Sequence, residues 1–429
     1  MENKNKTFII NLLHQLIKPA MGCTEIGAVA LATAASSKHL KKPIKKIYVN
    51  LSQFIYRNIV SVGVPLLGKI GTEGIAIAGS VIKNIDKKLN IISELKTNEI
   101  KQIKSLMKKN IVKVNVLTNV DPIYVEARIK DVKNNVAVSL IKHAHDNIEW
   151  VKLNDSIVYV PDKQKSSKYQ LGSTHLSIDY FKLIDIYNCI KSLTIKDLSF
   201  LKDGIDMNNK IKEQGYKHPY AFTKAIKGTD WKQYVIKEVT SAIEARMAGC
   251  KLPVMSSCDS GDHGLTVSIP QYAYAKFNKI NELKLLQALA FSHIITWIIK
   301  KHIGSLSAYC GSVIAAATAT TVGIAYQRNC SIKQINNLIN LCIASNGGAI
   351  CDGAKMSCAF KVLAALNANF HSLELVENNA YITNNEGIIN NDALTTIKDL
   401  GNISKTIMDQ TNDVVTKTVD KNHQQLKNV

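Results

Sequence analysis

Apolar positions recur at helical spacing from the start of the chain. In TFIINLLHQLI (7–17) they fall every three or four residues, Pro19 stops the pattern, and Thr24-Glu25 opens a second, Ala-rich apolar helix to about Ser37. Cys23 therefore stands at a helix N-terminus. After a Lys-rich link (38–46), IYVNLSQF predicts a strand or extended segment, and VGVPLLGKIGTEG a turn-rich loop into a helix over 75–85. From about Ser93 the period changes to two. A helix over 99–108 precedes the alternating runs VKVNVLT, PIYVEARIK, NVAVSLIK and IEWVKL, with Asn and Asp at the joints. Pro161 to Thr174 is polar and turn-rich, and reads as the exit from that unit. Helical spacing returns from Ile178, over 178–191, 232–248, 282–300, 305–327, 332–345, 353–367 and 394–424.

These periods predict a mainly α fold with an inserted α/β unit. A large all-α domain is built from 1–94 and 175–429, and a small α/β domain with its exit segment occupies 95–174. Ile303 to Gln327 carries no charged side chain and is long enough to cross a bilayer. Its Ala, Gly, Ser and Thr content makes it a buried core helix instead, so no membrane is expected.

Composition narrows the function classes. With 429 residues, 46% apolar and 21% charged, the chain is globular, which excludes disorder and collagen. The net charge of +20 invites a polyanion partner, but it comes from fifty lysines and only four arginines, scattered along the chain, with 6% aromatics. Nucleic-acid readers need bidentate Arg and stacking rings, so no specific nucleic acid is expected. The nine cysteines are odd in number, and MENKNKTFII shows no signal-peptide pattern. Both point to a reducing cytoplasm with thiols free or metal-bound.

Four cysteines stand in unusual company: Cys23 in PAMGCTE, Cys310 in LSAYCGS, and Cys351 and Cys358 in CDGAKMSC. None has CxxC spacing, and each alone reads as a buried apolar thiol. The last pair is more informative, because Asn346-Gly-Gly and Asp352-Gly mark a turn before a helix. A ligand on the loop and one on the first helical turn can then converge, whereas one ideal helix would hold their α-carbons about 10 Å apart. Gly311 and Gly353 would let backbone approach a bulky cofactor. His143 and His145 form a pair at strand spacing, which is either a ligand pair or a surface pair.

The chain resembles a family, the iron-sulfur L-cysteine desulfidases, related to the α chain of the iron-sulfur L-serine dehydratases. The resemblance covers nearly the whole chain. It rests on GCTE (22–25), RN followed by VGVP (57–65), YVE (124–126), HDNI (145–148), SGDHG (260–264), LSAYCGS (306–312), GIAY (323–326) and ICDGAK (350–355) with Cys358. It implies that Cys310, Cys351 and Cys358 hold a [4Fe-4S] cluster whose fourth iron stays open as a Lewis acid. The implied reaction is elimination from L-cysteine to pyruvate, ammonia and hydrogen sulfide, with no pyridoxal phosphate required. Elimination of water from L-serine is the nearest alternative.

Under this resemblance Cys23 is the base, its pKa lowered by the helix dipole and nearby cations, with Glu25 beside it. Ser260, Asp262 and His263 would bind the substrate's amino and carboxylate groups, Lys355 would anchor the carboxylate, and His145 would belong to the site. Each has a plainer reading: a capped turn for SGDHG, a first-turn carboxylate for Glu25, one lysine among fifty for Lys355. Cys189, Cys250, Cys258, Cys330 and Cys342 fall outside the pattern as structural thiols, with Cys258 near the site by chain proximity. Ile26 replaces the family's usual Pro, Asp259-Ser260-Gly261-Asp262 replaces Gly-Ser-Gly-Asn, and VGVP lacks its Gly-Thr-Gly continuation. Two further readings follow: a decayed enzyme that keeps fold and cluster, and a non-enzymatic, zinc-holding basic binding protein. The expected partner is a small amino-acid substrate, and a homo-oligomer is left open.

Overall fold

A computed structural model of the chain describes residues 2–20, 23–161, 181–304, 306–382 and 385–427. Most of the expected exit segment, and the start of the expected helix 178–191, lie outside these residues.

Six strands form one sheet in the order Val112–Leu117, Ile44–Ser52, Tyr124–Asp131, Val136–Lys142, Ile148–Leu153 and Ser156–Tyr159. All neighbours are antiparallel except the first two strands, which run parallel with Ile47 opposite Val112. A parallel neighbour requires a long crossover. Here it is made of the helices Gln53–Ile59, Gly71–Ile82 and Thr97–Met107 with the 3-10 segment Lys88–Glu94. The strand in IYVNLSQF, which the sequence pattern assigns to the all-helical 1–94, therefore lies second in this sheet. Local periodicity marks a strand but says nothing about a partner so far along the chain.

One face of the sheet, carrying Val125, Ala127, Ile129, Ala137, Ser139 and Ile141, is buried. Helix Thr24–Ser37 covers it, with Ser36 Oγ donating to the Ala127 carbonyl at 2.8 Å and Ser139 Oγ to the Ala32 carbonyl at 2.7 Å. Small side chains let the same helix pack on Gly71–Ile82 as well. A Cβ at Gly79 would lie 2.1 Å from the Ala30 carbonyl oxygen, so only glycine permits that approach. Cys23, the N-cap of Thr24–Ser37, is thus carried to the boundary between the sheet unit and the helical domain.

In the helical domain, Trp231–Met247, Gly261–Phe277, Glu282–Ile303, Thr318–Gln327 and Ser357–Glu377 form the core. Glu282–Ile303 is apolar and long enough to cross a membrane, but 83% of its apolar window is buried inside the fold, as in a core helix. The helix expected over 305–327 begins only at Ser312, as a π-helical segment to Ala317 that continues as Thr318–Gln327. Gly304, at φ +100°, ends the preceding helix, and the chain leaves helical geometry so that Tyr309 bridges Ile350. SGDHG is not a free-standing turn but the first turn of Gly261–Phe277, capped by Ser260. Its Gly264 serves close packing, since a Cβ there would meet the Met255 carbonyl oxygen at 1.9 Å. His143 and His145 are not at strand spacing. The strand ends at Lys142, and His143 sits in the left-handed region at φ +69°.

Candidate active site

A cavity of about 290 Å³ opens where the N-termini of Thr24–Ser37 and Gly261–Phe277 meet the loops before Ser312 and Ser357. It brings together all the residues singled out from the sequence except Lys355. Cys23, Glu25, His145, Ser260, Asp262 and His263 line one part of it, and Cys310, Cys351 and Cys358 another. Lys355 is turned aside: its ammonium pairs with Asp352 at 2.5 Å and donates to the Gly353 carbonyl at 3.0 Å.

The three thiols are placed by backbone. The Cys310 N–H donates to the Ala349 carbonyl at 2.8 Å and the Cys351 N–H to the Ala308 carbonyl at 2.6 Å, flanking the Tyr309–Ile350 bridge. Residues that follow a bridged pair on both strands point to the same side, so Cys310 and Cys351 share a face. The loop then folds back at Gly353, φ +95°, where a Cβ would collide with the Arg57 carbonyl oxygen at 2.0 Å. That return brings Cys358, in the first turn of its helix, to the same cavity, with its Sγ donating to the Gly353 carbonyl at 3.6 Å.

Burial pushes the Cys310 thiol up to about 11 and the Cys358 thiol up to about 12, so both are protonated until a metal displaces the proton. Among the described residues no three His, Cys, Asp or Glu side chains close around a point fit for a single ion. Three thiols on one cavity are the soft donor set from which a [4Fe-4S] cluster is held.

Opposite them lies a buried thiol–carboxylate pair. Cys23 Sγ donates to Glu25 Oε2 at 2.6 Å, Thr24 Oγ1 donates to the same oxygen at 3.0 Å, and Asn58 Nδ2 donates to Glu25 Oε1 at 2.6 Å. His145 Nε2 stands 4.0 Å from Oε1 and has no hydrogen-bond partner among the described residues. Burial and then the Glu25 charge push the Cys23 thiol well above its ordinary value, while Arg246 pulls it down. The backbone N–H at the helix terminus also lowers it, as the dipole argument expects, but this is the smallest contribution. The expected low-pKa thiol is therefore a protonated one. For Glu25, burial alone would raise the carboxyl, yet His145, the Cys23 S–H and Asn58 hold it below the ordinary range. The negative charge of the pair resides on Glu25.

Asp262 is buried and ion-paired, with Arg246 Nη1 at 2.8 Å from its Oδ1. Burial and then the Lys300 charge drive His263 to about 3, leaving a neutral imidazole. His143, on the outer rim, is more exposed and pairs with Asp121 at 2.8 Å. Cys258 joins the lining in a two-residue turn: Ser257 and Ser260 exchange backbone hydrogen bonds around Cys258 and Asp259, both at positive φ.

Sequence reasoning gave no site role to Arg57, Asn58, Arg246 and Lys300, all of which line the cavity, although Arg57 and Asn58 stand in a motif of the resemblance. Two of them carried a readable signal: only four arginines stand among fifty lysines, and Arg57 and Arg246 are half of those four. Arg57 is 2% exposed, donates from Nη2 to Asn412 Oδ1 at 2.9 Å, and so ties the cavity wall to the C-terminal helix Ala393–Lys427.

Residues 77–417 match the family described as serine dehydratase alpha chain. Similar proteins, each named UPF0597 protein, occur in clostridia. That of Clostridium perfringens is 32% identical over 403 residues, covering 91% of this chain and 92% of its own. That of Clostridioides difficile is 31% identical over 417 residues, covering 95% and 97%. That of Clostridium tetani is 31% identical over 413 residues, covering 95% and 96%.

Proposed function

The chain belongs to the serine dehydratase alpha chain family, and on that premise we propose that it is a [4Fe-4S]-dependent lyase. Its proposed reaction converts L-cysteine and water to pyruvate, ammonia and hydrogen sulfide. The observation that carries the reading is the meeting of Cys310, Cys351 and Cys358 with the Cys23–Glu25 pair on one cavity. A cluster bound by the three thiolates supplies a Lewis-acidic iron with an open position for the departing sulfur.

The chain's own residues do the remaining work. Glu25 holds the negative charge and Cys23 the proton, so the pair accepts the α-proton into an existing hydrogen bond. Ser260 and the N–H groups opening helix Gly261–Phe277 orient the substrate carboxylate. Asp262 would repel that carboxylate if its charge stood alone, but Arg246 neutralises it. The elimination leaves aminoacrylate, which takes up water to give pyruvate and ammonia. The nine cysteines are all free of disulfides, which suits a reducing compartment for such chemistry.

The family match favours a second reading, dehydration of L-serine on the same residues. Both are tested on protein purified without oxygen, by iron and acid-labile sulfide content, absorption spectrum, and product assays with each amino acid. About four irons per chain, a blue-violet band that bleaches in air, and sulfide release from cysteine are expected. Pyruvate from serine with no sulfide from cysteine would replace the first reading by the second. Protein that stays colourless and iron-free after anaerobic reconstitution would sink both.

A further inference from the structure

Lys300 differs from the solvated lysines that make up most of the chain's charge. It belongs to the core helix Glu282–Ile303, is 6% exposed, and lines the cavity. Its stem crosses Gly311, where a Cβ would lie 3.2 Å from Lys300 Cδ and 2.5 Å from His263 Nε2. The stem therefore passes beside the residue that follows Cys310.

Among the described residues, no hydrogen bond or ion pair holds this ammonium. An unpaired buried cation is costly, and a fold that keeps one has an anion to place against it. Three of the four carboxylates that line the cavity are committed elsewhere, and the fourth, Asp259, is exposed. Asp262 is paired with Arg246, Glu25 is bonded to Cys23 and Asn58, and Asp146 is paired with Lys88. Burial pulls the Lys300 ammonium below its ordinary value, and the groups that would favour its charged form are the sulfurs of Cys351, Cys258 and Cys310 once ionised.

We propose that Lys300 is the counter-cation of the thiolate-held group, a positioning residue that retains the cluster and makes it easier to reduce. This rests on the cluster reading above. A positive charge held in a low-dielectric wall offsets the negative charge that each thiolate brings, and local charge is one of the levers on cluster potential. Without the cluster the same lysine is expected to cost stability.

The test compares full-length wild type with Lys300→Met, which keeps the apolar stem, and Lys300→Arg, which keeps the charge. In reconstituted protein, Lys300→Met is expected to lose iron to a chelator at least about tenfold faster and to be reduced at a more negative potential, with Lys300→Arg restoring both. In cluster-free protein the order of stability inverts, with Lys300→Met melting above wild type because the uncompensated ammonium is gone. A wild type that holds a cluster beside a Lys300→Met variant with unchanged iron loss and potential overturns this proposal alone. A wild type that takes up no cluster overturns it together with the cluster reading. Unchanged cluster properties with a raised KM and preserved kcat overturn it too, by reassigning the ammonium to the substrate's carboxylate.

Discussion

Replacing Glu25 by Gln probes where the proton of the base pair resides. The change is nearly isosteric and exchanges one carboxylate oxygen for an amide nitrogen. Asn58 Nδ2, 2.6 Å from Oε1, can only donate, so the new nitrogen turns away from it. It then faces Cys23 and Thr24, which donate to Oε2 at 2.6 and 3.0 Å. The Thr24 hydroxyl can rotate to accept, but the Cys23 thiol loses its ionised acceptor. A hydrogen bond to a charged group contributes about 1.5–3 kcal/mol, and 1.36 kcal/mol is a tenfold change in a protonation equilibrium. Burial keeps the thiol raised in both proteins, but the next largest cause, the Glu25 charge, disappears. Glu25→Gln is therefore expected to alkylate Cys23 with iodoacetamide roughly ten- to a hundredfold faster at fixed pH, its rate profile displaced to lower pH. Turnover moves the opposite way, falling by about 10²–10⁴ with loss of the charge that receives the α-proton. The assay is peptide mass spectrometry of carboxamidomethylated Cys23 against time from pH 6 to 9, beside product formation. A variant that alkylates no faster than wild type, or that turns over at the wild-type rate, would refute the assignment.

Serine in place of Cys310, Cys351 or Cys358 is expected to lower reconstituted iron by more than half in each case, measured per chain. Cys342→Ala should leave it unchanged, because that thiol is buried in the core and does not line the cavity. Arg246→Met should cost about 3–5 kcal/mol by urea denaturation, since it strands Asp262 in the interior, and Asp262→Asn should cost clearly less because the amide still offers the guanidinium an oxygen. Equal costs would show that the pair is not what holds this corner. Burial drives His293, bonded to Ser257 Oγ at 2.8 Å, from an ordinary 6.5 to about 3. The unfolded chain then binds a proton that the folded chain refuses. The stability is fully present above about pH 6.5 and falls below it by up to about 1.4 kcal/mol per pH unit until pH approaches 3. His293→Gln should flatten denaturation midpoints between pH 5 and 6.5, and an unchanged slope would remove His293 from the acid sensitivity.

What could be read before folding was which residues would meet. Cys23, Glu25 and the three later cysteines were visible in the chain, and the structure gathers them on one cavity. The two-residue period also marked strands of the sheet, although not Ser156–Tyr159. What stayed hidden depends on neighbours distant in sequence. The parallel partner of Ile44–Ser52 lies beyond three helices, and of the glycines that look like turn formers in SGDHG, Gly264 lets backbones touch while Gly261 makes room for the Arg246 side chain. The apolar run through Cys310 looked helical because its small residues tolerate a helix, whereas Gly304 and the Tyr309–Ile350 bridge decide otherwise.

Protonation was the least legible property of all, because it is set by burial. A helix N-terminus argues for an acidic Cys23, yet burial and a carboxylate two residues on outweigh the dipole. Asp262 shows the same limit from the other side. Taken alone, it puts a negative charge where the family resemblance expects an amide. In the fold, Arg246 is 2.8 Å away, and Arg246 also pulls down the thiol of Cys23. Asp262 and Arg246 form one buried pair, so the acidic residue leaves no isolated negative charge in the cavity wall. Activity in the wild type together with an unusually costly Arg246→Met is what that pairing requires.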